Sequence, residues 1–331
     1  MGRHDHIPRF AHGIAGAAAC ILLLCTPSFS QSSTAPAQSS SQVPTIRSTT
    51  GPADLVRKAV QNELKANQGD PEHFMFRGIK TVPKGSATKL YAETKEGTAG
   101  LIIGYDGKPL TSEQQQAEQA RLERYLLNPE ELRKKRAQER EDAERTMRIM
   151  RALPDAFLYE YAGEETGSPG IGRAGDPLVK LKFRPNPSYH PPSRVEEVLT
   201  GMQGDMLVDA VHYRVASIDG TLFKSVSFGW GILGHLNAGG HFIVHQQNVH
   251  QQNVHQQDVD SVWEISSMTV NFTGKILLFK SLNIESTEVF SDFKRISNDL
   301  TFAQAVELLK KEEATLAEKT SSENLAETQK H

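Results

Sequence analysis

The sequence predicts an α+β protein with a large, curved antiparallel β-sheet (an unclosed barrel), helices packed on its concave face and a charged helical hairpin inserted. Three observations predict this class. Residues 204–293 form a run of strand-like segments separated by Gly and Asp-Gly. The stretch PLVKLKFRP, residues 177–185, alternates apolar and basic side chains, which is typical of a strand with one wet face. Residues 111–153, earlier in the chain, are dense in Glu, Gln, Arg and Lys, which favours helix.

Length and charge exclude several function classes. The 331 residues are enough for one large or two small domains with a sizeable core. The chain carries 37 basic and 40 acidic residues, for a net charge of −3. This balance does not favour nucleic acid or an anionic membrane surface, so we expect no nucleic-acid partner.

The N-terminal segment is typical of an export signal. Arg3 and Arg9 precede an apolar run over 11–25, and Ser28-Phe29-Ser30 supplies the small residues that a signal peptidase needs. We therefore predict a signal peptide over 1–30, cleaved before Gln31, and a periplasmic or secreted protein. The run of about fifteen residues is shorter than the roughly twenty that span a membrane, so no stable span is expected after cleavage. An uncleaved anchor and a lipid-anchored form are the alternatives.

Both cysteines, Cys20 and Cys25, lie inside this segment. Cleavage would remove them, and the mature chain would then have neither a disulfide nor thiol chemistry. Its stability must come from packing.

The rest of the chain divides by composition. Residues 31–51 are rich in Ser, Pro and Thr and predict a disordered leader. Residues 52–110 predict an N-terminal helix followed by the first strands, and 154–313 predict a β-meander with a C-terminal helix over 301–313. Residues 314–331 are polar and predict a disordered tail.

Residues 111–153 predict a helical hairpin of the kind found in coiled coils. Thr111 is placed to cap the first helix, and Asn128-Pro129 ends that helix and starts the second. One apolar stripe lies in the first helix and one near the end of the second: Leu122, Tyr125 and Leu126, then Met147, Met150 and Leu153. The polar stretch between them is a solvated face in the simpler interpretation. The alternative is a docking surface for an envelope partner or a nucleic acid, but acids interleave with the bases and disfavour a phosphate footprint.

Three strand predictions carry the sheet. FLYEY places Phe157, Tyr159 and Tyr161 on one face. Asp219-Gly220 predicts a tight hairpin turn between two strands. GKILLFK, residues 274–280, is apolar on both faces and predicts a strand that the C-terminal helix covers.

A tandem pentapeptide, HQQNVHQQNVHQQDV, places His245, His250 and His255 five residues apart. On a strand this spacing alternates faces, and no cysteine or carboxylate is placed as a fixed fourth ligand. We therefore predict no metal site and interpret the repeat as a lengthened hairpin connection.

No catalytic or cofactor signature appears in the sequence. G-x-S-x-G, H-E-x-x-H and P-loop patterns are absent, so we predict no catalytic residue and no cofactor. His212 is isolated and is interpreted as a structural hydrogen-bonding residue. Candidates for contact with a ligand are aromatic: Phe228, Trp230, Phe242 and Trp263. Trp230 alternatively packs beneath a loop, and Trp263 is more simply a core residue.

The strand order resembles the periplasmic lipoprotein-carrier (LolA/LolB-like) superfamily. The likeness covers residues 157–309 and rests on the signal segment, the N-terminal helix, the SIDGTL hairpin and the late strand GKILLFKSL. It implies an unclosed barrel with helices over its mouth. The charged hairpin and the HQQNV repeat depart from that pattern, and no ligand residue transfers by motif. LPDAFLYEYAG, LKFRPNPSYHPPSR, FGWGILGHLNAGG and SDFKRI also resemble uncharacterised secreted bacterial proteins.

Three functions fit these observations. The first is a non-enzymatic binder or carrier of an apolar ligand, such as a lipid or acyl chain, in a cavity of the sheet. The second is an envelope scaffold that binds a protein partner through 111–153. The third is a hydrolase whose site is scattered through the fold. An unfilled apolar cavity distinguishes the first from the second.

Overall fold

The computed structural model describes residues 51–66, 72–228, 234–249, 262–276 and 280–328. The predicted signal peptide, nearly all of the predicted leader, Trp230, His250 and His255 lie outside these ranges.

Helices and strands of the described residues alternate in an α+β order. The helices are α1 (Pro52–Ala66), α2 (Ser112–Leu127), α3 (Pro129–Ala156), α4 (Arg194–Glu197), a 3₁₀ helix (Val198–Gly201) and α5 (Phe302–Thr328). The strands are β1 (His73–Val82), β2 (Gly85–Ala92), β3 (Ala99–Tyr105), β4 (Lys108–Pro109), β5 (Phe157–Thr166), β6 (Pro177–Pro185), β7 (Met202–Asp209), β8 (Arg214–Leu222), β9 (Val226–Phe228), β10 (Gly234–Leu236), β11 (His241–Val249), β12 (Val262–Ile276) and β13 (Lys280–Ile296).

Backbone pairing joins these strands in the order β4-β3-β2-β1-β13-β12-β11-β8-β7-β6-β5, with β10 pairing β12 and β9. The result is one antiparallel sheet of 13 described strands that does not close into a barrel. The predicted α+β class with a large unclosed sheet is confirmed. Among the described residues, no helix is both long and apolar enough to cross a membrane.

The chain forms two compact units. Unit 1 contains the described residues 72–143 and 288–328. Its core lies between α2, α5 and strands β1 to β3, and Tyr125 meets Phe302 edge-on at 6.2 Å. On β1, Phe76 stacks with both Tyr91 and Phe293 at 5.2 Å between ring centroids.

Unit 2 contains the described residues 51–66 and 144–287. Its main core joins α1, the end of α3 and strands β5 to β12 in one apolar cluster. On α1, Leu55, Val56, Ala59 and Val60 are buried at helical spacing, as the sequence predicts.

Local capping signals in the hairpin are confirmed. The Thr111 hydroxyl accepts from Gln114 N, and the Gln114 side chain accepts from Thr111 N, which is a capping box. Asn128 Oδ1 accepts from Glu130 N at 3.2 Å and begins α3.

The predicted turn at Asp219-Gly220 is wrong. Both residues lie inside β8, which pairs with β7 on one side and β11 on the other. The β7–β8 connection instead falls at residues 210–213, where Tyr213 adopts a φ of 51°. Glycine at position 220 leaves room for the Phe242 ring, because a Cβ there would lie 2.4 Å from Phe242 Cε1.

The predicted common face of β5 is confirmed, because the β5–β6 register is regular from Phe157 to Tyr161. Phe157 and Tyr159 are buried on this face, whereas Tyr161 is 40% exposed. The register shifts after Tyr161, before Gly163, and this bulge ends the simple alternation.

The strand predicted from GKILLFK is described only at its ends. Residues 274–276 close β12 and Lys280 opens β13, whereas residues 277–279 lie outside the described residues. The C-terminal helix α5, predicted to cover this strand, packs on β2 and β3, with Phe302 and Leu309 among its buried residues. It runs to Thr328 rather than ending at 313, because the segment beyond Glu313 keeps good helix formers.

Candidate functional site

Unit 2 contains an apolar cavity of about 110 Å³. Fourteen of its sixteen lining residues are apolar, and the two polar ones are Thr146 and Gln246. The lining comes from the end of α3, the 3₁₀ helix and six strands: Thr146, Ile149, Met150, Leu153, Phe157, Phe183, Val198, Leu199, Met202, Met206, Val215, Ile218, Phe242, Val244, Gln246 and Ile265.

Strand periodicity places most of these side chains. Phe242, Val244 and Gln246 are two residues apart on β11, and Met202 and Met206 are four apart on β7. Because side chains alternate between the faces of a strand, each set points to the same side.

A β-bulge corrects the alternation in β8. The β7–β8 register shifts between Leu207 and Val208, which leaves Ala216 as an extra residue in β8. Val215 and Ile218 are three residues apart and would otherwise face opposite sides. With the bulge between them, both line the cavity.

The end of α3 supplies one wall. Thr146, Ile149, Met150 and Leu153 share one face of the helix at spacings of three and four residues. The Tyr159 hydroxyl donates to the Leu153 carbonyl at 2.8 Å and ties this end of α3 to β5. Burial raises the pKa of Tyr159, so the phenol stays protonated as the donor.

The cavity has one polar group without a partner. Gln246 is 4% exposed, and its Oε1 has no hydrogen-bond partner among the residues that the structure describes. An unsatisfied buried acceptor costs about 1–3 kcal/mol. A ligand that donates one hydrogen bond to this oxygen would relieve that cost.

The backbone of Gln246 is held from outside the cavity by the loop between β5 and β6. Gly172 N donates to the Gln246 carbonyl at 2.7 Å, and Asn248 N donates to the Gly172 carbonyl at 3.1 Å. Gly172 has a φ of 70°, which favours glycine. In β12, the bulged Ser266 donates to the Gly170 carbonyl. The loop therefore pairs β11 beyond the point where β8 leaves it.

Of the three aromatic candidates that the structure describes, one lies at the cavity. Phe242 lines it. Phe228 is buried in the main core of unit 2 and is not a lining residue. Trp263 belongs to a smaller cluster with Leu178, Leu207 and Ala216. Trp230 lies outside the described residues.

Sequence reasoning missed Gln246. It belongs to the first copy of the HQQNV repeat, in which only the histidines were considered, as possible metal ligands. The available signal was the alternation Phe242, Val244, Gln246 along one strand. The histidine of this first copy is His245, whose Nδ1 lies 3.0 Å from Ser267 Oγ. Burial lowers the pKa of its imidazole.

A second cluster in unit 2 has the composition of a metal site. Asp176, Asp209 and His212 bring their oxygen and nitrogen atoms within 4.8 Å of one another. The fully buried Asp209 accepts from Val211 N at 2.9 Å and from His212 N at 2.7 Å, and its Oδ1 lies 3.2 Å from His212 Nδ1. These bonds form the β7–β8 turn, so the turn explains the cluster and we assign no metal to it.

Comparisons with known proteins are sparse. No protein-family model and no curated protein matches the chain. A crystal structure of a DUF1329 family protein from Desulfovibrio piger ATCC 29098 is similar over 78% of this chain and 100% of its own, at 11% identity and a TM-score of 0.27. A structure of the Pseudomonas aeruginosa MucA/MucB complex covers 77% of this chain and 96% of its own, at 9% identity and a TM-score of 0.21. TM-scores this low carry no argument, and the lipoprotein-carrier resemblance stays a prediction.

Proposed function

We propose that the protein is an exported, non-enzymatic binding protein whose unit 2 cavity takes an apolar ligand. The observation that carries this proposal is the cavity of about 110 Å³ with fourteen apolar lining residues. Ligand sites in proteins are mostly apolar with a few polar groups that fix orientation, and Gln246 is such a group here. The cavity also favours this function over that of a scaffold with a fully packed interior.

The volume limits what can enter. An engineered apolar cavity of about 150 Å³ binds benzene, so a cavity near 110 Å³ takes a ring of similar size or the end of an acyl chain. Met150, Met202 and Met206 line it, and flexible thioether side chains can repack around a longer chain. The whole of a lipid tail would require such repacking.

Phenol and toluene test the site as a matched pair, because each has seven heavy atoms and only phenol donates a hydrogen bond. Both should perturb the methionine methyl NMR signals of Met150, Met202 and Met206. Phenol should gain affinity from Gln246 Oε1, and Gln246→Leu should remove that gain while toluene binding remains.

Val244→Phe fills the cavity and should abolish binding of both probes. Val289→Phe makes the same change at a side chain in unit 1 that is 46% exposed and should leave binding unchanged. Native mass spectrometry of the chain from the envelope fraction would then identify the natural cargo. Equal phenol binding by the wild type and the Val244→Phe variant would sink the proposal.

The second candidate is an envelope interaction protein that uses the α2–α3 hairpin. The observation in its favour is Leu127, which is 81% exposed at the junction of the two helices. Leu127→Asp should then abolish association with an envelope partner and leave phenol binding intact. Unchanged association with the partner would show that Leu127 is not part of its binding surface.

A further inference from the structure

Unit 1 contains a second, larger cavity of about 580 Å³. It lies between β2, β3 and the two helices of the hairpin. Its lining is charged where the unit 2 cavity is apolar, and cations outnumber carboxylates: Lys89, Arg121, Arg124, Lys134 and Lys135 against Glu131, Glu139 and Asp142.

Most of these cations already have a carboxylate. Arg124 Nε lies 3.2 Å from Glu131, and Lys135 pairs with Glu139. Arg121 donates twice to Glu118, both at 2.6 Å. Among the described residues, Lys89 and Lys134 form no ion pair.

The carboxylates near Lys89 are committed to other groups. Glu118 accepts from Ile102 N at 2.7 Å besides its two bonds from Arg121. Glu288 on β13 accepts from Lys80 of β1 at 2.5 Å. The Lys89 ammonium instead lies 5.7 Å from the centre of the Tyr91 ring.

Burial dominates the electrostatics of Lys89. Burial, reinforced by the Arg121 charge, lowers the pKa of Lys89 to about 8, and the opposing charges of Glu118 and Glu288 do not restore it. Lys80 adds a further lowering contribution. A negative charge in the cavity would supply what these carboxylates do not.

We propose that the unit 1 cavity binds an organic oxyanion, a carboxylate or phosphate ester, with Lys89 as its counter-charge. Arg121 and Arg124 border the same space, and the Tyr125 ring, 5.9 Å from the Arg121 guanidinium carbon, offers an apolar surface for the body of the ligand. The site is separate from the apolar cavity of unit 2 and does not depend on what that cavity binds.

Isothermal titration calorimetry of the purified protein tests the site with sulfate, benzoate and phenyl phosphate. At pH 8 all three probes are fully ionised, because even the second pKa of a phosphate ester is about 6. At least one probe should bind, and its binding should make the protein take up roughly half a proton. The bound anion raises the pKa of Lys89, which is about half protonated in the free protein at pH 8. Titration in buffers of different ionisation enthalpy measures that proton.

Lys89→Met should weaken binding by at least about tenfold and abolish the proton uptake. Lys84→Met removes the same charge from the exposed β1–β2 turn and should change neither. Circular dichroism confirms that each variant folds. Failure of all three probes to bind, or binding by Lys89→Met with unchanged affinity, overturns the proposal. Binding of the probes with no proton uptake by any of them also overturns it, because the anions would then lie away from Lys89.

Discussion

The cavities of unit 1 and unit 2 differ in what builds them. In unit 2, strand side chains at every second position and one helix face converge to leave an apolar space of about 110 Å³. In unit 1, the charged hairpin stands over the sheet and leaves about 580 Å³ lined by ion pairs. Apolar side chains pack together because their burial is favourable, whereas burying a charged side chain is costly even beside a partner, so the charged lining leaves a larger space.

The largest expected difference is between a buried ion pair of unit 2 and an exposed ion pair of unit 1. Glu63 is fully buried and accepts from Arg214 at 2.8 and 2.7 Å and from Val215 N at 3.1 Å. Arg214→Met takes the guanidinium away from a buried carboxylate, so it should lower the free energy of unfolding by about 3–5 kcal/mol. Urea denaturation measures the loss.

Two controls accompany that variant. The double variant Glu63→Met/Arg214→Met removes both charges and should recover most of the loss. Arg133→Met breaks an exposed pair with Glu130 in the hairpin and should cost no more than about 1 kcal/mol. Equal unfolding midpoints for Arg214→Met and Arg133→Met would contradict the contrast between the two units.

Methionine truncation separates binding from stability. Met206→Ala in unit 2 and Met75→Ala in unit 1 each remove a buried side chain and should each cost about 2–5 kcal/mol. Only Met206→Ala enlarges the apolar cavity, so only that variant should bind naphthalene more tightly than the wild type does. Naphthalene affinity, followed by fluorescence, decides the point. A similar gain in Met75→Ala would show that the ligand enters elsewhere.

Gly220→Ala tests the packing behind Phe242. The added Cβ would lie 2.4 Å from the Phe242 ring and 3.1 Å from Met202, so the ring must move into the cavity. Overpacking of this kind costs about 1–3 kcal/mol, and phenol affinity should fall as well. In unit 1, Gly100→Ala meets its nearest neighbour at 3.4 Å and should be nearly neutral. Unchanged phenol affinity in Gly220→Ala would count against a cavity bounded by Phe242.

The smallest expected effect is a pH dependence from unit 1. Burial raises the pKa of Glu93 from 4.5 to about 7, so the folded chain holds more protons in that window and stability falls as pH rises through it. Lys89, lowered from 10.5 to about 8, has the opposite sign, and stability rises with pH above 8. Stability should therefore be lowest between pH 7 and 8.

Because both side chains keep some solvent contact, each window should contribute only about 1 kcal/mol. Urea midpoints across pH 5–10 measure it. Glu93→Gln should remove the falling limb and Lys89→Met the rising one. Limbs that survive in both variants would assign the pH dependence to other groups.

Sequence prediction succeeded where the signal is local. Thr111 and Asn128 cap helices through bonds that span two or three residues, and α1 follows from its own periodicity. It failed where a distant partner decides. Gly220 resembles a turn residue until Phe242, on another strand, requires the space of its missing side chain.

The candidate site was predictable only in part for the same reason. Phe242 could be named as an aromatic near glycines, but the backbone of Gln246 is held by the loop at Gly172, more than seventy residues earlier in the chain. Lys89 of unit 1 belongs to no sequence motif. Burial and the Arg121 charge lower its pKa, and the nearby carboxylates of Glu118 and Glu288 already bind Arg121 and Lys80.

The bond between Gly172 and Gln246 lies in the first copy of the HQQNV repeat, and this position matters if the number of copies changes. Tandem copies of a short unit are prone to gain and loss, and the second and third copies of the pentapeptide begin at His250, after the last residue that β11 contributes. A changed copy number would leave the residues of β11 and the bond from Gly172 to Gln246 in place. Natural variants with two or four copies should therefore keep Gln246 in the lining of the unit 2 cavity.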